Sequence, residues 1–213
     1  KFPDGIDYKT HPAEMGVSMD ALATPYKVLK RGRVKAGETV AVFGAGGGVG
    51  IHQLMMARWA NTRVIAVDVA EEKKQACLDA GADEFINPEK VNTIEAILDL
   101  TDGEGADVAI DYVSATATLE AAAGALRRHG RMITLGGAGA KFQVDSMEML
   151  RKEQDLLGSR YTTRADIIAT YELIAKREVW PIVTDIRPME EADAIHDRVE
   201  KGEVIGRAAI TMN

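Results

Sequence analysis

A glycine-rich turn between an apolar run and a helical pattern constrains this chain more than any other feature. Five of the seven residues at 44–50 are glycines, an apolar run at 40–43 precedes them, and helical periodicity follows from Val49. Without side chains, backbone N–H groups can approach an anion, and the positive end of the next helix then faces it. Alone, the turn indicates only a tight loop, so its meaning depends on its surroundings.

Strand-like and helix-like segments alternate over most of the chain. Such alternation implies βαβ crossovers and a parallel sheet covered on both faces. We therefore predict an α/β fold, a doubly wound six-stranded parallel sheet of the Rossmann type with strand order 3-2-1-4-5-6. The predicted strands are 39–43, 62–68, 84–88, 106–113, 131–135 and 156–161, and the predicted helices are 49–59, 71–80, 93–101, 115–129 and 164–176.

The two ends of the chain have a different character. Residues 1–17 are rich in breakers and are expected to be irregular, and 18–31 to form a helix with Pro25 in its first turn or at a kink. The tail is expected to be extended at 180–187, helical at 189–201 and a strand at 206–212. We divide the chain into a lead-in with a helix (1–32), a dinucleotide-binding domain (33–178) and a C-terminal segment (179–213).

Composition excludes several classes of protein. The net charge of −7 argues against a general binder of nucleic acid or anionic membranes, which would need a basic face. No apolar stretch is long enough to span a bilayer, and the N-terminus lacks a signal-peptide pattern, so a cytoplasmic location is expected.

The single cysteine, Cys77, excludes an internal disulfide and is expected to be a small buried side chain. The chain lacks an initiator Met, which suggests that it begins part-way through a longer protein.

An acid follows the second predicted strand at the distance that dinucleotide binding requires. Asp68 lies 68 − 50 = 18 residues after Gly50 and directly ends the apolar run. In this fold such a carboxylate accepts hydrogen bonds from the adenosine ribose about 20 residues past the glycines. Because it also repels a 2′-phosphate, NAD is favoured over NADP. The alternative is a helix cap before Glu71.

The glycine spacing departs from the common fingerprint. G-x-G-x-x-G starting at Gly44 would need glycine at position 49, where Val49 stands. Gly44, Gly47 and Gly50 fit G-x-x-G-x-x-G instead. The individual roles of the three consecutive glycines at 46–48 therefore stay open. His52, in the first turn after the glycines, could approach a cofactor but is expected on the helix surface.

Several further motifs, read together with this turn, resemble the medium-chain dehydrogenase/reductase family, which includes the zinc-type alcohol dehydrogenases. They are AGETV at 36–40, VFGAGGGVG at 42–50, AGAD at 80–83, Asn87-Pro88, Asp102-Gly103, Gly158-Ser159, MEEA at 189–192 and KGEVIGR at 201–207. The resemblance implies an NAD-dependent oxidoreductase of the alcohol dehydrogenase type, which transfers hydride between a small-molecule alcohol or carbonyl substrate and nicotinamide. It also implies a homodimer or homotetramer assembled through the last strand of the sheet.

The resemblance also implies roles for individual residues toward NAD. Lys73 would reach the ribose, Arg207 would lie against the pyrophosphate, and Thr24 would lie beside the nicotinamide ring. A solvated helix lysine and a surface arginine are the alternatives for the first two. The implied cofactor-binding set is Gly44, Gly46, Gly47, Gly48, Val49, Gly50, Asp68, Lys73, Thr24 and Arg207.

Asp20 matches the position of the third catalytic zinc ligand in the family. The alternative is an acid at a helix N-terminus, where it would suit the helix dipole. The family's first two ligands, a Cys and a His in a Gly-His-Glu segment, have no match here. We therefore expect the chain to be the cofactor-binding half of a two-domain enzyme, with 179–213 returning to the catalytic domain. It should bind dinucleotide but not complete the reaction alone, and we assign no catalytic residue.

Two other functions remain open at this point. A methyltransferase that uses S-adenosylmethionine also has a glycine turn and a ribose-binding acid, but it usually places an acid just before the glycines, where this chain has Val42 and Phe43. It also usually ends in an antiparallel hairpin, which the sequence does not predict. The other alternative is a non-catalytic NAD-binding module.

Overall fold

The computed structural model describes residues 2–137 and 139–212. Lys1 and Asn213, the ends of the predicted lead-in and C-terminal segment, lie outside the described residues, as does Ala138. Within those ranges no helix is long and apolar enough to cross a membrane. The helices are α1 (Pro12–Ala21), α2 (Ala23–Arg31), α3 (Gly50–Trp59), α4 (Lys74–Asp79), α5 (Thr93–Leu100), α6 (Thr116–Gly124), α7 (Ser146–Lys152), α8 (Arg164–Ala175) and α9 (Ala192–Glu200). The strands are β1 (Thr39–Phe43), β2 (Arg63–Val67), β3 (Glu84–Ile86), β4 (Ala106–Asp111), β5 (Leu126–Thr134), β6 (Asp155–Gly158), β7 (Val183–Pro188) and β8 (Arg207–Thr211). Short 3₁₀ turns, Glu71–Lys73 and Met189–Glu191, precede α4 and α9.

β1 lies at the centre of a six-stranded parallel sheet with the order β3-β2-β1-β4-β5-β6. Val40 and Val42 pack into one apolar cluster, whereas Ala41 and Phe43 pack into a second cluster on the opposite face. Both faces of a strand are therefore buried, which explains why β1 reads as a continuous apolar run rather than an alternating one. The predicted fold class and strand order are confirmed.

The N-terminal region is more regular than predicted. α1 begins at Pro12, inside the stretch expected to be irregular, and the predicted single helix 18–31 is two helices separated at Leu22. Proline suits the first position of a helix, because the N–H that it lacks would have no partner there. Met15 and Leu22 bury in a third apolar cluster with Met56 and Tyr171. This tertiary packing stabilises α1, whose first half lies in the stretch where local breakers argued against a helix. Pro25 lies in the first turn of α2, as predicted.

The alanine-rich helix α6 is shorter than predicted. It ends at Gly124, and residues 126–129, which we expected to be helical, belong to β5. Leu126 is fully buried and pairs with Ala106 of β4, so the sheet extends into a segment with good helix propensity. α7 was not predicted at all. Asp145 begins it by accepting hydrogen bonds from the backbone N–H groups of Met147 and Glu148.

The C-terminal segment forms a second, two-stranded sheet. β7 and β8 run parallel, with α9 connecting them. The backbone N–H of Arg207 at the start of β8 donates to the carbonyl oxygen of Ile182, just before β7, at 2.9 Å. This pairing brings the end of the chain to the carboxyl edge of the large sheet, beside the glycine turn.

Candidate functional site

The glycine turn (residues 44–50) is folded tightly between β1 and α3. Gly44 has φ +73°, and its N–H and that of Ala45 donate to the Val67 carbonyl at 3.0 and 3.2 Å. The Gly47 N–H donates back to the Gly44 carbonyl at 3.1 Å. A Cβ at Gly50 would overlap that carbonyl oxygen and lie 2.9 Å from its carbon. Only glycine fits at position 50, because the colliding atoms are backbone.

The consecutive glycines at 46–48 allow close approach on two sides. A Cβ at Gly46 would lie 2.7 Å from Lys73 Cδ and 3.2 Å from Asp68 Oδ2. A Cβ at Gly48 would lie 3.0 Å from the Gly206 carbonyl oxygen and 3.1 Å from Arg207 Cδ. The turn is thus enclosed by an acid and a cation on one side and by a second cation on the other.

Asp68 follows β2 and is tied directly to the turn. Its Oδ2 accepts a hydrogen bond from the Gly46 N–H at 2.7 Å, and its Oδ1 accepts one from the Ala70 N–H at 3.0 Å. The 3₁₀ turn Glu71–Lys73 has Ala70 at its N-cap, so the interpretation of Asp68 as the helix cap is wrong. The carboxylate is half-buried at the carboxyl end of β2, where this fold places a group that binds ribose hydroxyls.

Two cations flank the turn. Lys73 is only 6% exposed and its alkyl chain packs over Gly46, so it is not a solvated helix lysine. Arg207 packs over Gly48, and its guanidinium forms an ion pair with Asp20. Arg207 Nε is buried and has no hydrogen-bond partner among the described residues. Gly47, Gly48, Lys73 and Arg207 line one cavity of about 540 Å³. An oriented turn of N–H groups between two cations is suited to a phosphate.

A second cavity, of about 670 Å³, opens at the carboxyl ends of β1 and β4. Thr24, Val49, Tyr112, Ser114 and Thr134 are among the residues that line it. The crossovers from β1 and β4 leave in opposite directions along the sheet, so this crevice lies at its topological switch point, where doubly wound folds bind ligands. The two cavities share the glycine turn as a wall, and together they can hold an elongated ligand.

The structure does not bring a metal site together around Asp20. Across residues 2–137 and 139–212, no group of three or more His, Cys, Asp and Glu side chains could hold a metal ion. Asp20 instead pairs with Arg207 and accepts a hydrogen bond from Thr24 Oγ1 at 3.4 Å. Asp20 lies in the last turn of α1, so the interpretation of this residue as an acid at a helix N-terminus is wrong. Zinc chemistry would need ligands that these residues do not supply.

His52 is the residue that sequence reasoning placed wrongly. It is fully buried in α3 rather than on the helix surface. Its Nε2 accepts a hydrogen bond from the Ile182 N–H at 2.8 Å, and its Nδ1 lies 2.7 Å from the Gly48 carbonyl oxygen. Burial lowers the pKa of the imidazole to about 4, so His52 is neutral near pH 7. Nothing local in the sequence signals a partner that lies 130 residues away.

Cys77 matches its expectation. The thiol is fully buried, and burial raises its pKa to about 12. Since the thiolate is the reactive form, Cys77 has no nucleophilic role near neutral pH.

Comparison with known proteins identifies the family. A family model described as "Zinc-binding dehydrogenase" matches residues 48–176. An alcohol dehydrogenase from Geobacillus stearothermophilus is 31% identical over 212 residues, which is 100% of this chain and 60% of that protein. An NAD-dependent alcohol dehydrogenase from Sulfurisphaera tokodaii is 29% identical over 88% of this chain and 54% of its own length.

The fold is shared with solved structures as well. The alcohol dehydrogenase of the hyperthermophilic archaeon Aeropyrum pernix superposes with a TM-score of 0.88 at 30% identity, covering 98% of this chain and 60% of that one. The chain thus spans about 60% of the length of such relatives. With the matched region extending from the glycine turn through α8, the chain belongs to the zinc-binding dehydrogenase family, and corresponds to the cofactor-binding half of a zinc-type alcohol dehydrogenase-like medium-chain dehydrogenase/reductase.

Proposed function

We propose that the chain binds NAD and is the dinucleotide-binding portion of an alcohol dehydrogenase-type oxidoreductase. The observation that carries the proposal is the Asp68 carboxylate, held 2.7 Å from the Gly46 N–H at the carboxyl end of β2. A carboxylate in that place accepts hydrogen bonds from two ribose hydroxyls and disfavours a 2′-phosphate. The relatives named as NAD-dependent alcohol dehydrogenases support the same assignment.

The proposed binding mode runs along the carboxyl edge of the sheet. Asp68 and Lys73 hold the adenosine ribose, and the backbone of the glycine turn (Gly44, Gly46–Gly48, Val49 and Gly50) packs against the pyrophosphate. The N–H groups of Gly44, Gly46 and Gly47 shape the turn through their own hydrogen bonds, so the N–H groups of Gly48 and Val49 are the ones proposed to face the phosphates. Arg207 Nε lies beside Gly48 and has no hydrogen-bond partner in the part of the chain that the structure describes, and it donates to the pyrophosphate from the other side. Thr24 lies in the second cavity, where the nicotinamide would enter. When bound, the nicotinamide supplies hydride transfer, and this chain's part is to position it.

The substrate and metal parts of the activity are proposals about a longer protein. We propose a small-molecule alcohol or carbonyl substrate, since the named relatives are alcohol dehydrogenases. Asp20 at the edge of the second cavity is proposed as one zinc ligand at most, because Arg207 and Thr24 already engage its two oxygens. We propose that the chain alone binds the cofactor without turning over an alcohol.

Cofactor binding is tested by calorimetric titration of the chain with NAD, NADP and S-adenosylmethionine. We expect NAD to bind more tightly than either competitor. Asp68→Asn should weaken NAD binding roughly tenfold, the effect of losing hydrogen bonds to a charged group, and should reduce the preference over NADP. Glu72→Gln, four residues on and exposed, is the control of equal charge change and should bind like the wild type. Tighter binding of S-adenosylmethionine would favour the methyltransferase alternative and reject the proposal.

We further propose that the chain forms a homodimer or homotetramer in the cytoplasm. β6 is the last strand in the sheet order and pairs only with β5 among the described residues, so its other edge has unpaired backbone groups. A second copy added along that edge would pair them. Sedimentation velocity should give a dimer or tetramer at micromolar concentration, and a monomer would argue against this assembly.

A further inference from the structure

A continuous line of hydrogen bonds connects the glycine turn with the C-terminal segment. The Gly48 carbonyl lies 2.7 Å from Nδ1 of His52, and the Nε2 of His52 accepts the Ile182 N–H at 2.8 Å. The Ile182 carbonyl in turn accepts the Arg207 N–H at 2.9 Å. Two parts of the sequence that are far apart, residues 48–52 and residues 182–207, are thus joined by one line of hydrogen bonds, which we call the His52 relay (Gly48, His52, Ile182 and Arg207).

The relay determines which nitrogen of His52 carries the proton. Ile182 offers an N–H, so Nε2 must have its lone pair free to accept. Gly48 offers a carbonyl oxygen, so Nδ1 must carry the hydrogen and donate it. One tautomer of the neutral ring satisfies both partners, and neither the imidazolium nor the other tautomer does. Because the ring is fully buried, water cannot replace either partner.

The relay ends at the residue that faces the anion. The Cδ and Nε of Arg207 pack against Gly48. Gly48 is also the residue whose carbonyl oxygen begins the relay. Gly206, the residue before Arg207, packs tightly against Ile182, since a Cβ at Gly206 would lie 2.6 Å from the Ile182 carbonyl oxygen. The position of the guanidinium over the turn therefore depends on how Ile182 is held. Ile182 packs against the apolar core of the large sheet, and His52 is the side chain that accepts a hydrogen bond from its backbone N–H.

We infer that His52 is a positioning residue for cofactor binding: it docks the C-terminal segment on the glycine turn and so places Arg207 against the pyrophosphate. The inference rests on the proposed function, because it takes Arg207 to contact the dinucleotide. It adds a residue to the site that touches neither ribose nor phosphate. His52 acts through Ile182 and Arg207. Removing its ring should therefore reduce the affinity for NAD by the amount that Arg207 contributes.

A double-mutant cycle on the full chain tests this dependence, with NAD as the probe in calorimetry. The variants are His52→Leu, Arg207→Met and the two combined. We expect His52→Leu to weaken NAD binding roughly tenfold, by misplacing a charge-assisted contact. Arg207→Met should weaken it by at least as much. The double variant should bind like Arg207→Met alone, because His52 has nothing left to position.

Two further variants separate positioning from general destabilisation. Met56→Ala removes a fully buried side chain from the same helix, on the side that packs against α1 and α8. It should lower stability without changing NAD affinity. His52→Asn keeps a donor for the Gly48 carbonyl but is too short to accept from Ile182, so it should weaken NAD binding about as much as His52→Leu. It also serves if the Leu variant does not fold.

The outcomes distinguish the two levels of the argument. Wild-type affinity in folded His52→Asn or His52→Leu would overturn the positioning role, and so would multiplicative losses in the double variant. An equal loss of NAD affinity in Met56→Ala would show that lower stability alone explains the effect of the His52 variants. That result would overturn the positioning role as well. By contrast, a wild-type chain that does not bind NAD would reject the proposed function itself. An Arg207→Met variant that binds NAD normally would leave NAD binding intact, but it would reject the role of Arg207 and overturn the positioning role of His52 with it.

Discussion

The two sides of the glycine turn are built in different ways. On the β2 side, Asp68 is 22 residues from the Gly46 N–H that it accepts, and both belong to neighbouring strand ends of one sheet. On the other side, Ile182 is 130 residues from His52, and Arg207 is 187 residues from Asp20. The first side is made within the sheet itself. The second also requires the C-terminal segment to dock, which closes a much longer loop of chain.

In the proposed binding mode, this difference separates cofactor selection from cofactor retention. Asp68 on the β2 side would accept hydrogen bonds from the ribose and so would govern the choice between NAD and NADP. Arg207 on the C-terminal side would face the pyrophosphate, which both cofactors share. A substitution that disturbs docking of the C-terminal segment should therefore reduce the affinities for NAD and NADP alike. A substitution at Asp68 should instead change the ratio of the two affinities.

The largest expected effect is at the turn itself. In Gly50→Ala the new Cβ would overlap the Gly44 carbonyl oxygen, which is backbone and cannot rotate away. We expect a loss of about 3 kcal/mol in the free energy of unfolding, at the upper end of overpacking costs, together with loss of NAD binding. Urea unfolding followed by circular dichroism measures the first, and calorimetry the second.

The control for this substitution is Gly16→Ala. Gly16 lies inside α1, and a Cβ there would meet nothing within 4 Å. Alanine in a helix interior should increase stability by about 0.5–1 kcal/mol. If Gly50→Ala were as stable as this control, the turn would be able to relax, and the tight local construction described for this side would be wrong.

The sequence was sufficient for the side that is built locally. β1 was predicted with its observed bounds, because a strand covered on both faces is apolar throughout and ends abruptly at the glycines. The parallel sheet followed from the alternation of strands with helices, and its strand order from the doubly wound dinucleotide fold that six such strands match. Asp68 could be found because its distance from the turn is fixed by one helix and one strand.

The sequence was insufficient wherever a distant contact decides the local structure. Residues 126–129 have helix propensity, yet pairing with β4 draws Leu126 into β5. His52 was expected on a helix surface, because its hydrogen-bonding partner is in another part of the chain. Asp20 has the same difficulty, since only the docked C-terminal segment brings Arg207 to it. Tertiary partners of this kind leave no periodic or spacing signal in a single sequence.

The last expected effect is the dependence of stability on pH, which changes gradually with each pH unit and reports on the docked side. The pKa of His52 is about 4 in the folded chain and about 6.5 when the ring is exposed, with burial as the main cause. The carbonyl of Gly48 and the carboxylate of Asp20 favour the charged ring and Arg207 opposes it, but burial outweighs them. Between pH 6.5 and 4 the unfolded chain binds a proton that the folded chain does not. The contribution of neutral His52 to the free energy of unfolding should therefore be fully present above pH 6.5 and be lost as the pH decreases toward 4.

The comparison of wild type with His52→Leu isolates this contribution. Carboxylates with lowered pKa, such as Asp185 beside Arg187, also lose stability in acid, but they do so in both proteins and cancel in the difference. The difference in unfolding free energy, from urea titrations at several pH values, should change by at most about 1.4 kcal/mol per pH unit, the limit for one proton. A difference that is constant from pH 7 to 4.5 would mean that the ring is accessible to water in solution. The C-terminal segment would then not be docked on the turn. In that case the β2 side of the site would be formed in solution and the C-terminal side would not.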